Sequence, residues 1–283
     1  MPEGDTVFVA ATRLAAALAG ERLVETDFRV PAFATTDLAG QVVLEVAARG
    51  KHLLFRTDHG LTVHTHFKME GTWHLYRPSE RWRGQSHEVR AVLRTADRVA
   101  VGFRLGIVEV LSTRGEPNVI GHLGPDVLGP DWDVDEVVRR LRSDPPREIG
   151  GALIDQRVMA GPGNVYKSEV CFLRGIDPWA PVGSIEDLDG MVTLVKRLME
   201  ANRTTGMQVT TGDTRRGRER WVYGRAGQGC RRCGTQVRRA MQVEDSSVAS
   251  TASVDEGPNE RVTFWCPSCQ PGMGPSVRTS RRT

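Results

Sequence analysis

The 283-residue sequence has no run of 18 apolar residues, which excludes a membrane-spanning helix. No basic stretch followed by a short apolar run stands near its start, so no secretory signal is expected and an intracellular, cytoplasmic setting is. No internal repeat is present, which sets solenoids and propellers aside. Before Cys230 there is one cysteine, Cys171, in an apolar helical pattern that reads as an inert buried thiol. Net charge is small, at +3. What remains is ordinary for a globular protein: 39% hydrophobic and 26% charged residues, in a chain long enough for two or three units.

The small net charge hides an uneven distribution. Between Arg203 and Arg239 ten arginines face only Asp213 and Glu219, a local excess of eight. Such a stripe attracts polyanions, and arginine forks suit phosphate. A solvated basic loop would account for the run equally well.

Apolar spacing over 5–19 predicts a helix closed by Gly20. From about 21 to 115, short Val- and Leu-rich runs such as HLLFRT, LTVHTHF, VRAVLRT and IVEVLS alternate with Gly, Asp and Pro. This texture predicts antiparallel strands in a sandwich or barrel. PDVLGPDWD then marks a boundary, with Asp133 placed to cap a helix. Helical patterns follow through NVYKSEVCFLRG and SIEDLDGMVTLVKRLMEA. The expected domains are 1–125, 126–222, 223–270 and a basic, disordered tail over 271–283.

Four cysteines form two C-x-x-C pairs, Cys230 with Cys233 and Cys266 with Cys269. Paired knuckles of this kind place four thiolates tetrahedrally around one structural Zn2+. Disulfides do not fit a chain without an export signal. The 32 residues between the pairs exceed a compact ribbon. The polar stretch within 242–260 is read as a flexible insertion, flanked by QVRRAMQV and ERVTFWC, which can pair as a hairpin.

The opening MPEGDTV admits two readings. Pro2, Glu3 and Asp5 suit the first turn of a helix. Alternatively, removal of Met1 makes Pro2 a free secondary amine beside an acid.

Four stretches now stand in order: MPEGDTV, ARGKHLLF, ALIDQRVMAGPGNVYKSEVCFLRGIDP and YGRAGQGCRRCG with TFWCPSCQ. Together they resemble the formamidopyrimidine-DNA glycosylase/endonuclease VIII family of base-excision repair enzymes, over about residues 1–270. The resemblance implies a multidomain α+β fold. An N-terminal helix and antiparallel β-sandwich lead to a helix-two-turns-helix domain, then to a β-hairpin zinc finger. It implies damaged DNA as partner, bound in the cleft between the two main domains by a monomeric, nucleoid-associated enzyme with no membrane partner.

The chemistry follows from an amine that displaces a damaged base at C1′. The iminium so formed acidifies C2′, and the strand breaks by elimination. By resemblance Pro2 is the Schiff-base nucleophile and Glu3 its acid/base partner. Lys51 stands beside the lesion phosphate and lowers the pKa of the amine. Asn164, in the GPGN turn, grips a phosphate; taken alone it reads as a helix N-cap. Arg261 binds a lesion phosphate and favours the second elimination. Extrusion of the target leaves a void, for which Met69 in HFKMEG is the wedge, with Lys68 beside it. Met69 could instead pack at a strand end.

The Asp-x-Arg-x-Phe-Gly segment of the formamidopyrimidine branch is missing. LGPDVLGP and FWCPSCQ look more like the endonuclease VIII branch, which prefers oxidised pyrimidines. His122 stands where that branch places an arginine before the turn. A formamidopyrimidine/8-oxoguanine-type glycosylase, a lyase acting mainly on abasic sites, a non-catalytic DNA-binding paralogue and an RNA-binding zinc ribbon are the rival readings. The paralogue would lose Pro2, Glu3 or Lys51, and the RNA ribbon would not explain MPEG.

Overall fold

The computed structural model describes residues 2–243 and 260–275. The expected insertion and most of the basic tail therefore lie outside the described residues. Helix α1 (Gly4–Leu18) buries Val7, Ala11, Leu14 and Leu18, one face at helical spacing. That face packs on a sandwich of two four-stranded antiparallel sheets. One sheet has β1 (Glu25–Phe28), β6 (Val89–Arg94), β7 (Val99–Phe103) and β5 (Thr72–Tyr76) in that order. The other has β2 (Val43–Arg49), β3 (His52–Thr57), β4 (Leu61–His66) and β8 (Ile107–Ser112). Leu53, Phe55, Val63 and Val108 point into the shared core with Leu14 and Leu18 of α1.

The alternation of β3 and β4 sends the other side chains outward. His52, His64 and Thr62 are buried nonetheless. At one end of this outer face Arg56 pairs with Glu116, which also accepts from Thr62. Glu116 directly precedes the short helix α2 (Pro117–Ile120), at the start of the connection to the second lobe.

That lobe contains α3 (Val134–Arg142), α4 (Ile149–Ile154), α5 (Asn164–Arg174) and α6 (Leu188–Asn202). Asp133 caps α3 as expected, accepting the Glu136 N–H at 3.1 Å. Met159, Tyr166, Val170, Met191 and Val195 form its core with the buried Cys171, whose thiol is pushed up to about 12 by burial. Strands β9 (Arg238–Val243) and β10 (Glu260–Trp265) form the expected hairpin, in which Arg261 faces Gln242. The hairpin rests on the helical lobe through Gln242, which donates to Glu148 at 2.8 Å and to the Pro178 carbonyl at 2.9 Å. Among the described residues, no helix is long and apolar enough to cross a membrane.

Candidate active site

The first residues of the chain are bonded to the second lobe. The Gly4 N–H donates to the Gly161 carbonyl at 2.9 Å. A Cβ on Gly4 would stand 2.8 Å from Gly161 Cα, so this approach needs glycine. Glu3, fully buried, then reaches the start of α5. Its carboxylate accepts N–H bonds from Gly163 and Val165, both at 2.8 Å. An anion at a helix N-terminus was expected here, and the chain supplies it from its own first acidic residue.

This corrects one expectation. The backbone donors of the GPGN turn are occupied by Glu3, and the N-cap of α5 is Gly163, with Asn164 as the first helical residue. Asn164 is buried, and its Oδ1 has no hydrogen-bond partner among the described residues. A polar atom in that state is costly unless something binds it.

Burial raises the pKa of Glu3, and the neighbouring Asp5 adds to this. The positive charge of Lys51 and the α5 N–H bonds oppose them. Lys51 sits in the turn between β2 and β3. The same turn is tied to the second lobe by the Gly50 N–H, which donates to Asp126 at 2.7 Å. Pro2, half-buried, adjoins Glu3. The structure therefore gathers the nucleophile candidate, a buried acid and a lysine at the junction of the two lobes.

Other expected residues flank this junction. Lys68 follows β4 in a left-handed conformation with φ of 53°, and its N–H donates to His66 Nδ1 at 2.9 Å. Met69 is 63% exposed, so it does not pack in the core. His122 is exposed in the turn after α2. Arg261 stands on the hairpin, on the second lobe's side, opposite Gln242.

The four cysteine sulfurs lie within 4.8 Å of one another. The Cys230–Cys269 and Cys233–Cys266 pairs are 3.9 and 3.5 Å apart. A tetrahedron with Zn–S bonds of about 2.3 Å has S···S edges of about 3.8 Å, so these donors can hold a metal ion. The Arg232 N–H points at Cys230 Sγ from 3.4 Å, as a knuckle requires.

Several neighbours were not legible in the sequence. Asp5 is buried and accepts from Tyr166 Oη at 2.9 Å; burial raises its pKa against that bond and those from Thr6 and Gln208. Glu169 on α5, also buried, accepts the N–H groups of Trp221, Val222 and Tyr223 at 2.7–2.8 Å, and the Thr210 hydroxyl. It thereby fixes the arginine-rich segment against the helical lobe. No periodicity marks such a residue, since a helical glutamate ordinarily faces water.

Comparison with known proteins accords with this geometry. The formamidopyrimidine-DNA glycosylase N-terminal domain model matches residues 1–114, and that family's H2TH domain model matches 123–211. The chain belongs to the formamidopyrimidine-DNA glycosylase/endonuclease 8 family. Within this family it is 52% identical to the probable endonuclease 8 2 of Streptomyces coelicolor, covering 100% of this chain and 98% of that one. It is 47% identical to the DNA-(apurinic or apyrimidinic site) lyase Nei2 of Mycolicibacterium smegmatis, over 95% and 99%. These relatives place the chain on the endonuclease 8 side. The Lactococcus lactis formamidopyrimidine-DNA glycosylase, solved with abasic-site DNA, shares the glycosylase family's fold at a TM-score of 0.76 and 22% identity, over 95% and 100%.

Proposed function

We propose that this protein is a bifunctional DNA glycosylase and abasic-site lyase that removes oxidised pyrimidines and cuts the strand by β,δ-elimination. One observation carries the reading: the buried Glu3 carboxylate, anchored by α5, stands beside Pro2 and within the field of Lys51. An amine, an acid and a cation at a lobe junction are what iminium chemistry on a sugar needs. Once Met1 is removed, Pro2 attacks C1′ and the base leaves. Glu3 supplies a proton to the opening sugar, its raised pKa suiting an acid. The Lys51 charge favours the unprotonated amine and helps the elimination.

DNA lies across the junction in this reading. Asn164 and Arg261 hold lesion phosphates, Lys68 and His122 contact the strands, and exposed Met69 fills the space of the extruded nucleotide. Zn2+ held by Cys230, Cys233, Cys266 and Cys269 is structural; it fixes the base of the hairpin that carries Arg261. The oxidised-pyrimidine preference rests on endonuclease 8 relatives and on the missing formamidopyrimidine-branch arginine segment.

Borohydride trapping tests the reading on duplexes with thymine glycol, dihydrouracil, 8-oxoguanine or an abasic site. The expected result is a covalent complex at Pro2, strongest with the oxidised pyrimidines and the abasic site, and lost in P2G. Absence of any adduct from protein shown by mass spectrometry to begin at Pro2 overturns it.

A further inference from the structure

Three ionisable side chains on the outer face of the β2-β3-β4-β8 sheet form a continuous hydrogen-bonded chain that the reading above leaves unused. His64 Nδ1 lies 3.0 Å from Glu109 Oε2, and His64 Nε2 lies 2.8 Å from His52 Nδ1. The two imidazoles lie edge to edge and nearly coplanar, with 22° between their planes and centroids 5.1 Å apart, as an in-line N···N hydrogen bond requires. The sheet register makes this arrangement rigid: His64 faces Glu109 across β4 and β8, and His52 faces His66 across β3 and β4. His52 and His64 are buried, whereas the Glu109 side chain is 42% exposed. One end of the chain therefore meets solvent. The other end, His52, follows Lys51 directly and faces His66, whose strand runs into Lys68.

The hydrogen bonds fix the tautomers. An ionised Glu109 can only accept, so His64 carries its proton on Nδ1. His64 Nε2 is then an acceptor, so His52 donates from Nδ1 and its own Nε2 is bare. We propose that Glu109, His64 and His52 form a proton relay between the catalytic junction and solvent, serving the lyase step while DNA covers the junction. This rests on the lyase reading above.

The transfer balances. A proton reaching His52 Nε2 releases the Nδ1 proton of His52 to His64 Nε2. His64 then passes its Nδ1 proton to Glu109, which yields it to water. The rings are left in the opposite tautomers, so the next proton runs inward and resets them. The reaction has need of both directions, since C2′ gives up a proton and a leaving group takes one. The groups facing His52 keep the proton moving. His66 and His64 on β4, Lys68 after it and His122 in the connection all weigh with burial against a charged His52, while Lys51 acts likewise on His66. Glu109 is the one acid in the chain, at its solvent end.

H64Q and E109Q test the relay in the full chain with Pro2 at its terminus. Gln at 64 can still donate to Glu109 and accept from His52, and Gln at 109 can still accept from His64. Both keep the hydrogen bonds and lose the proton path. Single-turnover cleavage of a preformed abasic duplex should slow by about 100-fold in each, the low end of the range for proton-transfer catalysis. In mixtures of light and heavy water the rate should show several protons in flight in the wild type and one in the variants. Affinity for a stable abasic analogue and borohydride trapping should stay unchanged. Wild-type rates and isotope behaviour in both variants, with normal trapping, overturn the relay. Absence of trapping in the wild type overturns the lyase reading and the relay with it.

Discussion

Glu3 Oε1 accepts the backbone N–H of Val165 at 2.8 Å, which bonds the start of the chain to the first turn of α5. The acid is held at a fixed point by the element that also begins with Asn164. E3Q replaces one accepting oxygen with a donor and removes the proton source. Base excision should fall at least about 100-fold, a usual loss for a general acid. Trapping on a preformed abasic site should persist, because Pro2 remains. Gel assays on lesion and abasic duplexes separate the two steps, and equal loss in both would contradict the assignment.

Met69 stands at the β4–β5 turn with 63% of its surface exposed. M69A removes no core contact, so the melting temperature should stay the same. Cleavage of a duplex lesion should drop while cleavage of the same lesion in single-stranded DNA changes little, since only the duplex must be refilled after extrusion. Equal rates of M69A and wild type on duplex would remove Met69 as the wedge.

Metal analysis should find one zinc per chain, and chelation should lower both DNA affinity and the melting temperature. Cys230 and Cys266 belong to a cluster with Phe172, Val222, Val237 and Phe264, so loss of the metal loosens the packing around the hairpin. Metal content well below one per chain in freshly purified protein would count against the site.

His66 provides a pH signature of stability. Burial, with Lys68, Lys51 and His64, lowers its pKa from 6.5 to about 3. The unfolded chain binds a proton near 6.5 and the folded chain does not, so this stability is present above 6.5 and is lost as pH falls toward 3. Between about pH 6 and 4, wild type should therefore lose about 1.4 kcal/mol per pH unit relative to H66N. Urea unfolding across that range measures the difference; parallel curves would refute it.

Glu169 should be among the costliest positions to change. E169A strands the N–H groups of Trp221, Val222 and Tyr223, which its carboxylate now satisfies. A loss of about 3 kcal/mol or more is expected in denaturant unfolding. A change within about 0.5 kcal/mol would show that the segment finds other partners.

Most sandwich strands, the longer helices and the hairpin were legible because each carries a period or a turn signal, as in IVEVLS or the Asp133 cap, whereas the short β1 and α2 carry no period. The cysteine cluster was legible from spacing alone, and Pro2, Glu3 and Lys51 from motif order. The occupant of the α5 N-terminus was not. GPGN announces an anion, but nothing local says that the anion is Glu3, 160 residues earlier than Gly163. The His52–His64–Glu109 chain was hidden for a similar reason. Strand alternation assigns the three to one face, but only the register across β3, β4 and β8 puts their nitrogens and oxygen in line.

The register of the hairpin also has a bearing on how this lobe can change. Val243 and Glu260 are the last paired residues before the insertion, and they face each other across β9 and β10. A segment spliced between two partners already held side by side adds closure entropy of only about 0.6 kcal/mol for each doubling of its length. Arg261 and Gln242 form the next pair inward, so strand pairing and not the inserted segment sets their register. A graft between Val243 and Glu260 therefore asks little of the fold beyond the pairing that the two strands already make.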